Sequence, residues 1–149
     1  DYKILSKDPD KLVGKELIEV DLTDQSTVGT GEIFINPFVF FDFEKNMLTD
    51  ETRRYPLDLT YPREIKTTLI AEIPPTHDVA SYPMPTRFST PDGGANFTFF
   101  SEPSQGKLNI RLILKINKYV FAETEYLEMR QFFSEVIKTV STPIQLVKK

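Results

Sequence analysis

The 149 residues are about one domain's worth of chain, and a chain of that size buries roughly 70% of its unfolded surface in one core. Apolar residues make up 40% and charged residues 27%, a balance that argues against disorder, while the net charge of -4 gives no general pull toward nucleic acid or anionic lipid. No apolar run reaches the length a transmembrane helix needs, and the lack of cysteine excludes disulfides, thiolate metal sites and a thiol nucleophile.

The chain opens on DYKILSK, with neither an initiator Met nor a charged-then-apolar leader, as expected of a piece cut or processed from a longer protein. LIEVDLT alternates Ile18, Val20 and Leu22 against Glu19, Asp21 and Thr23, which predicts a strand. GEIFINPFVFFDF is a dense aromatic run broken by Pro37. Residues 1–149 are expected to form a single β-rich domain, with residues 1–30 either part of it or the tail or linker of a preceding one.

RRYPLDLTYP, residues 53–62, is the most unusual stretch. Pro56 and Pro62 push Tyr55 and Tyr61 into extended conformations. Alternation then lines Tyr55, Leu57, Leu59 and Tyr61 on one face, with Arg54, Asp58 and Thr60 on the other. Arg53 and Arg54 therefore point apart, which disfavours a two-arginine clamp on one anion. The stretch reads instead as a structural lock (Arg53, Arg54, Tyr55, Pro56, Leu57, Asp58 and Tyr61) whose aromatic and leucine face seats on the core.

Further on, IKTTLIAEI places Ile65, Thr67, Leu69, Ala71 and Ile73 on one face, and KLNIRLILKIN does the same with Leu108, Ile110, Leu112, Leu114 and Ile116. Both predict strands with one wet face. Between them, Pro91, Asp92, Gly93 and Gly94 separate two aromatic-rich runs, predicting a hairpin of Thr86–Thr90 with Ala95–Ser101. EPSQG is read as a second turn. From Glu125 to Val140, Tyr126, Met129, Phe133, Val136 or Ile137, and Val140 recur at helical spacing, with Thr124 as the expected N-cap and Pro143 as the stop. IQLVK alternates again and is expected at a sheet edge. The elements predict a mainly β fold, an antiparallel β-sandwich-like domain with one C-terminal α-helix.

Candidate chemistry is sparse. His77 is the single histidine, beside Asp78 in IPPTHDVASYP; adjacent side chains in an extended loop point apart, and no strand-turn-helix elbow presents a serine, so it reads as a surface-loop residue. The carboxylates of DLTDQS, FDFEKN and LTDET lack a calcium-hand pattern and read as solvated turns, although a glycosidase-like pair is one alternative. Phe38, Phe40, Phe41, Phe43, Phe97, Phe99 and Phe100 are candidates for a ligand platform. Alternation sends Phe97 and Phe99 opposite to Phe100, so core packing explains most of them, and no tryptophan is present for sugar stacking. No catalytic, cofactor or metal residue is assigned.

GEIFINPFVF, RRYPLDLTYP, the strand ending in EIPP, the turn PDGGANFTF and the segment LKINKYVFAETEYLEMRQFFSEVIKTVSTPIQLVKK together resemble a C-terminal domain of unknown function. In certain exported bacterial proteins it follows an N-terminal β domain and a transglutaminase-like core, often labelled a putative protease. The match runs in order from about Gly31 to the end; its most specific pieces are Arg53 to Asp58 and the segment from Lys115 through the helix. The resemblance implies a non-catalytic accessory domain, periplasmic or at the cell surface, that docks on or stabilises the core of the same polypeptide. It carries no active-site residue to these positions, since that chemistry needs a cysteine nucleophile. The alternative is an independent glycan- or peptide-binding module. Neither reading involves nucleic acid, a transmembrane segment or a cofactor.

Overall fold

A computed structural model of the chain describes residues 2–8, 13–18, 26–28, 31–38 and 45–149. Strands β1 (Tyr2–Asp8) and β2 (Val13–Ile18) form an antiparallel pair. The expected strand over LIEVDLT thus reaches the described residues only at its beginning; Val20 and Leu22 lie outside them.

Two four-stranded antiparallel sheets follow. The first runs in the order β6 (Arg63–Glu72), β10 (Lys107–Ile116), β9 (Ala95–Ser104), β8 (Thr86–Ser89). The second runs β3 (Ser26–Val28), β4 (Glu32–Ile35), β12 (Ile144–Lys148), β7 (His77–Ser81). A two-strand ribbon pairs β5 (Leu57–Asp58) with β11 (Val120–Phe121). Helix α1 spans Tyr126–Val140.

The periodicity of β6 and β10 is borne out. In β10, Leu108, Ile110, Leu112, Leu114 and Ile116 are all buried, while the alternate positions are exposed or half-buried. The outer face of this sheet carries ion pairs, with Glu64 bridging Lys66 at 2.8 Å and Lys115 at 3.2 Å, and Glu72 bridging Lys107 at 3.0 Å, beside the exposed Ile70 and Phe100. Its inner face carries the aromatic core. Phe97 and Phe99 stack at 6.4 Å, Phe38 meets Phe99 edge-on at 5.9 Å, and Phe88 lies 5.0 Å from Phe97 and 5.4 Å from Phe132 of α1. Ile144 and Leu146 of the second sheet join the same hydrophobic cluster, flanked by Ile33, Ile35 and Val79. Both sheets and the helix therefore share one core, the mainly antiparallel, sandwich-like arrangement that the periodicity predicts.

Three local expectations change. Strand β12 is not an edge: it pairs with β4 on one side and β7 on the other. A five-residue pattern carries no information about partners that far away in sequence. The β9–β10 turn is tighter than EPSQG, because β9 runs through Pro103 to Ser104 and only Gln105 (φ 49°) and Gly106 (φ 75°) turn the chain. Both central residues at positive φ give the turn a twist that suits a two-residue hairpin. Finally, Thr124 does not cap α1. A single 3₁₀ turn, Glu123–Glu125, precedes the helix, and the Glu125 carboxylate reaches back to accept the Ala122 N–H at 2.6 Å. The helix stripe gains Phe132 beside Tyr126, Met129, Phe133, Val136 and Val140, while Ile137 is half-buried.

Candidate functional site

The segments most specific in sequence converge around the ribbon. Asp92, in the Pro91–Gly94 turn, accepts the Thr90 hydroxyl at 2.7 Å and the Gly94 N–H at 2.9 Å. Lys118, just before β11, pairs with Asp92 at 3.2 Å and with Glu125 at the start of the helix, and its ammonium sits 5.1 Å from the Phe121 ring centroid. Asn96 and Asn117 both donate to the Gly93 carbonyl at 3.0 Å, and the N–H of Asn117 donates to the Gly94 carbonyl at 2.8 Å. One acid, one lysine and one glutamate thus tie the hairpin turn, the β10–β11 connection and the helix entry together.

The electrostatics follow from the contacts. The Gly94 N–H and then the Thr90 hydroxyl stabilise the ionised Asp92 carboxyl, with Lys118 adding to them, and the pKa of Asp92 falls to about 2. Lys118 is raised, chiefly by its hydrogen bond to Glu125 and then by Asp92. Gly93 has a φ of 69°, which the turn requires. Gly94 is needed for another reason: a Cβ there would lie 2.9 Å from both Phe121 Cε1 and Asp92 Oδ2. This node was not singled out from sequence, although two signals for it were present. They are the acid two residues before Gly94 and the glutamate three residues after Ala122, at capping-box spacing.

RRYPLDLTYP lies on the other strand of the ribbon, and its face assignment is corrected. Leu57 is buried and Leu59 is half-buried against the core, but Tyr55 is 76% and Tyr61 is 59% exposed. The reason is the shortness of β5, whose ladder holds Leu57 and Asp58 alone. Tyr55 precedes it. Beyond it Thr60 takes a φ of 74°, with the Tyr61 N–H donating to the Leu59 carbonyl at 2.9 Å and the Thr60 N–H to Asp58 Oδ1 at 2.7 Å. This is a γ-turn with positive central φ, rare and costly for a β-branched residue, and it breaks the alternation that would have turned Tyr61 inward. Arg54 and Pro56 are exposed, and the exposed Arg53 places its guanidinium 5.9 Å from the ring centroid of Tyr126. Across the ribbon Tyr119, just before β11, is 45% exposed and Val120 of β11 is 40% exposed.

His77 lies in strand β7 rather than in a loop, half-buried at the edge of a cleft of about 470 Å³ between the Ile73–Val79 and Pro103–Lys107 segments. Its Nδ1 lies 2.9 Å from the Thr76 hydroxyl, while Asp78 pairs with Lys149 at 3.5 Å. The acid is thus engaged elsewhere and no Ser-His-Asp relay is assembled here. Among the described residues no cluster of three metal-ligating side chains occurs. Asp50 and Glu51 are exposed, and the acids of DLTDQS and FDFEKN lie outside the described residues. Phe38, Phe97 and Phe99 are buried, Phe100 is 46% exposed, and Phe40, Phe41 and Phe43 lie outside the described residues.

Fold and surface define a mainly antiparallel β domain whose C-terminal helix seals an aromatic core. The sequence matches, over residues 31–146, the family described as a domain of unknown function with a solved structure, DUF3858, and the chain belongs to that family. The crystal structure of a putative protease from Parabacteroides distasonis ATCC 8503 shares the fold, with a TM-score of 0.63 and 12% identity over 79% of this chain. The matched region is 24% of that protein, so the present chain corresponds to about a quarter of its length. No curated protein matches the sequence.

Proposed function

We propose that this domain is a non-catalytic accessory module that docks on, and stabilises, the transglutaminase-like core of a longer exported polypeptide. The observation that carries the reading is the recurrence of the fold as one quarter of a larger protein described as a putative protease, set beside the lack of any cysteine in this chain. The docking surface we assign is the ribbon. Tyr55, Tyr61, Tyr119 and Val120 stand exposed along it, on a frame that the Asp92–Lys118–Glu125 node holds rigid. Tyrosines suit such a surface because each offers a large, stiff contact area with a polar tip. In this reading the lock is carried by Leu57, buried in the core, and by Arg53 against the Tyr126 ring, while Asp58 holds the Thr60 turn and Arg54 and Pro56 stay exposed.

The test is hydrolase and acyl-transfer activity, with thermal melting, of the longer polypeptide recovered from periplasmic and surface fractions, with and without residues 1–149. The expected result is a lower melting temperature and lower activity on truncation. Unchanged activity and melting together, or peptidase activity in the isolated domain, would remove the reading. A second reading, a peptide-binding module, is favoured by the open groove beside β8.

A further inference from the structure

Helix α1 has two flanks, and the fold treats them differently. On the β6 flank, residues 45–50 run along the helix: Asn46 Nδ2 donates to the Arg130 carbonyl at 2.8 Å and lies 2.9 Å from Ser134 Oγ, and the Tyr126 hydroxyl donates to the Asp50 carbonyl at 3.1 Å. Leu48 of this segment is buried, and the space left beside Leu59, Phe133 and Ile137 is only about 40 Å³. On the β8 flank the corresponding groove is open, with a volume of about 290 Å³. Phe88 and Phe132 give it an apolar wall, and Glu128, Gln131 and Glu135 of α1 line its helix side.

The groove borders a strand edge. Among the described residues β8 pairs with β9 alone. The Thr90 N–H donates to the Ala95 carbonyl, so by the alternation of an antiparallel ladder Phe88 and Thr86 also point their backbone groups at β9. Arg87 and Ser89 therefore direct their N–H and C=O groups outward, along the groove. An open edge beside an apolar pocket is the arrangement that takes up an extended peptide as an added strand, with backbone hydrogen bonds giving affinity and pockets giving selectivity.

Charge selects the occupant. The lining holds two carboxylates, Glu128 and Glu135, and no basic side chain; beside it Lys138 is an exposed partner 3.7 Å from Glu135 that an incoming basic side chain would share or displace. They are two helical turns apart, about 10.5 Å along the axis. In an extended strand, side chains four residues apart share a face and lie about 13 Å from each other, within reach of that pair for long side chains. We propose that this groove binds an extended segment of another polypeptide with a basic residue, an aliphatic residue two positions on and a second basic residue two beyond. The aliphatic side chain sits against Phe88 and Phe132 much as Leu48 sits on the opposite flank, and the basic side chains pair with Glu128 and Glu135. This does not rest on the docking reading, and it is tested on the 149 residues alone.

The probe is fluorescein-labelled acetyl-Lys-Thr-Leu-Thr-Lys-amide, followed by fluorescence anisotropy, with amide shifts mapped by NMR. Binding below about 1 mM is expected, with the shifts centred on Thr86–Ser89 and the Glu128–Glu135 flank. The Glu128→Lys/Glu135→Lys double variant should weaken binding about tenfold or more, and higher salt should weaken it in the wild type. Ser89→Pro removes an outward N–H without touching the β8–β9 ladder and should weaken binding about fivefold while leaving the far-UV spectrum unchanged. No binding by folded protein up to about 1 mM, shifts centred on another surface, or binding indifferent to both variants would overturn the proposal.

Discussion

The segment from Lys115 into the helix and the block Arg53–Tyr61 are neighbours on one ribbon, yet their side chains are spent in different ways. In the first, Lys118, Phe121, Glu125 and Tyr126 all turn inward or onto one another, and the Pro91–Gly94 turn closes over them. Folding accounts for each of these residues, while Tyr119 and Val120 between Lys118 and Phe121 remain exposed. In the second, Leu57 and Leu59 do the packing while Tyr55 and Tyr61 stand in solvent, and Thr60 between them holds a strained backbone angle. The contrast teaches that a sequence block can be distinctive for internal reasons or for external ones, and that burial separates the two.

The comparison is broken most sharply at Gly94. Gly94→Ala places a methyl against the Phe121 ring and the Asp92 carboxylate, neither free to move, and should cost about 1–3 kcal/mol in urea unfolding. A loss below about 0.5 kcal/mol would mean the node is looser than its contacts imply.

Asp92→Asn comes next, at about 1 kcal/mol near neutral pH, since it weakens the hold on the Gly94 N–H and removes one of the two carboxylate partners of Lys118. The pH dependence has a definite sign. Asp92 titrates at about 2 in the fold against 3.8 ordinarily, so its contribution is present above 3.8 and is lost as pH falls through about 2. The gap between wild type and Asp92→Asn in urea midpoints should therefore close as the pH falls across that window. A gap that stays constant would show that the carboxylate's charge is not what stabilises the turn.

How much of this was legible follows from range. The alternation in β6 and β10, the hairpin around Pro91–Gly94 and the stripe from Tyr126 to Val140 are local patterns, and each was readable because burial on one face dictates the period. The central position of β12, the grip of Glu125 on Ala122 and Lys118, and the helix-flank groove all depend on partners brought in from elsewhere. Tyr55 and Tyr61 were misplaced for a different reason. Alternation was extended past the two-residue β5, through a threonine whose positive φ no propensity would suggest.

The smallest expected effect on the isolated domain is also the most direct test of the account. Tyr55→Ser/Tyr61→Ser removes two exposed rings and should shift the unfolding free energy of the 149-residue chain by less than about 0.5 kcal/mol. In the longer polypeptide the same double variant should lower the melting temperature of the assembled protein and speed hydrogen exchange across residues 53–61 and 117–121. If the isolated domain is unaffected and the longer protein loses stability, the ribbon is a docking surface. If exchange and melting in the longer protein are as indifferent to the substitutions as the isolated domain is, the tyrosines face solvent there too, and docking through the ribbon is wrong.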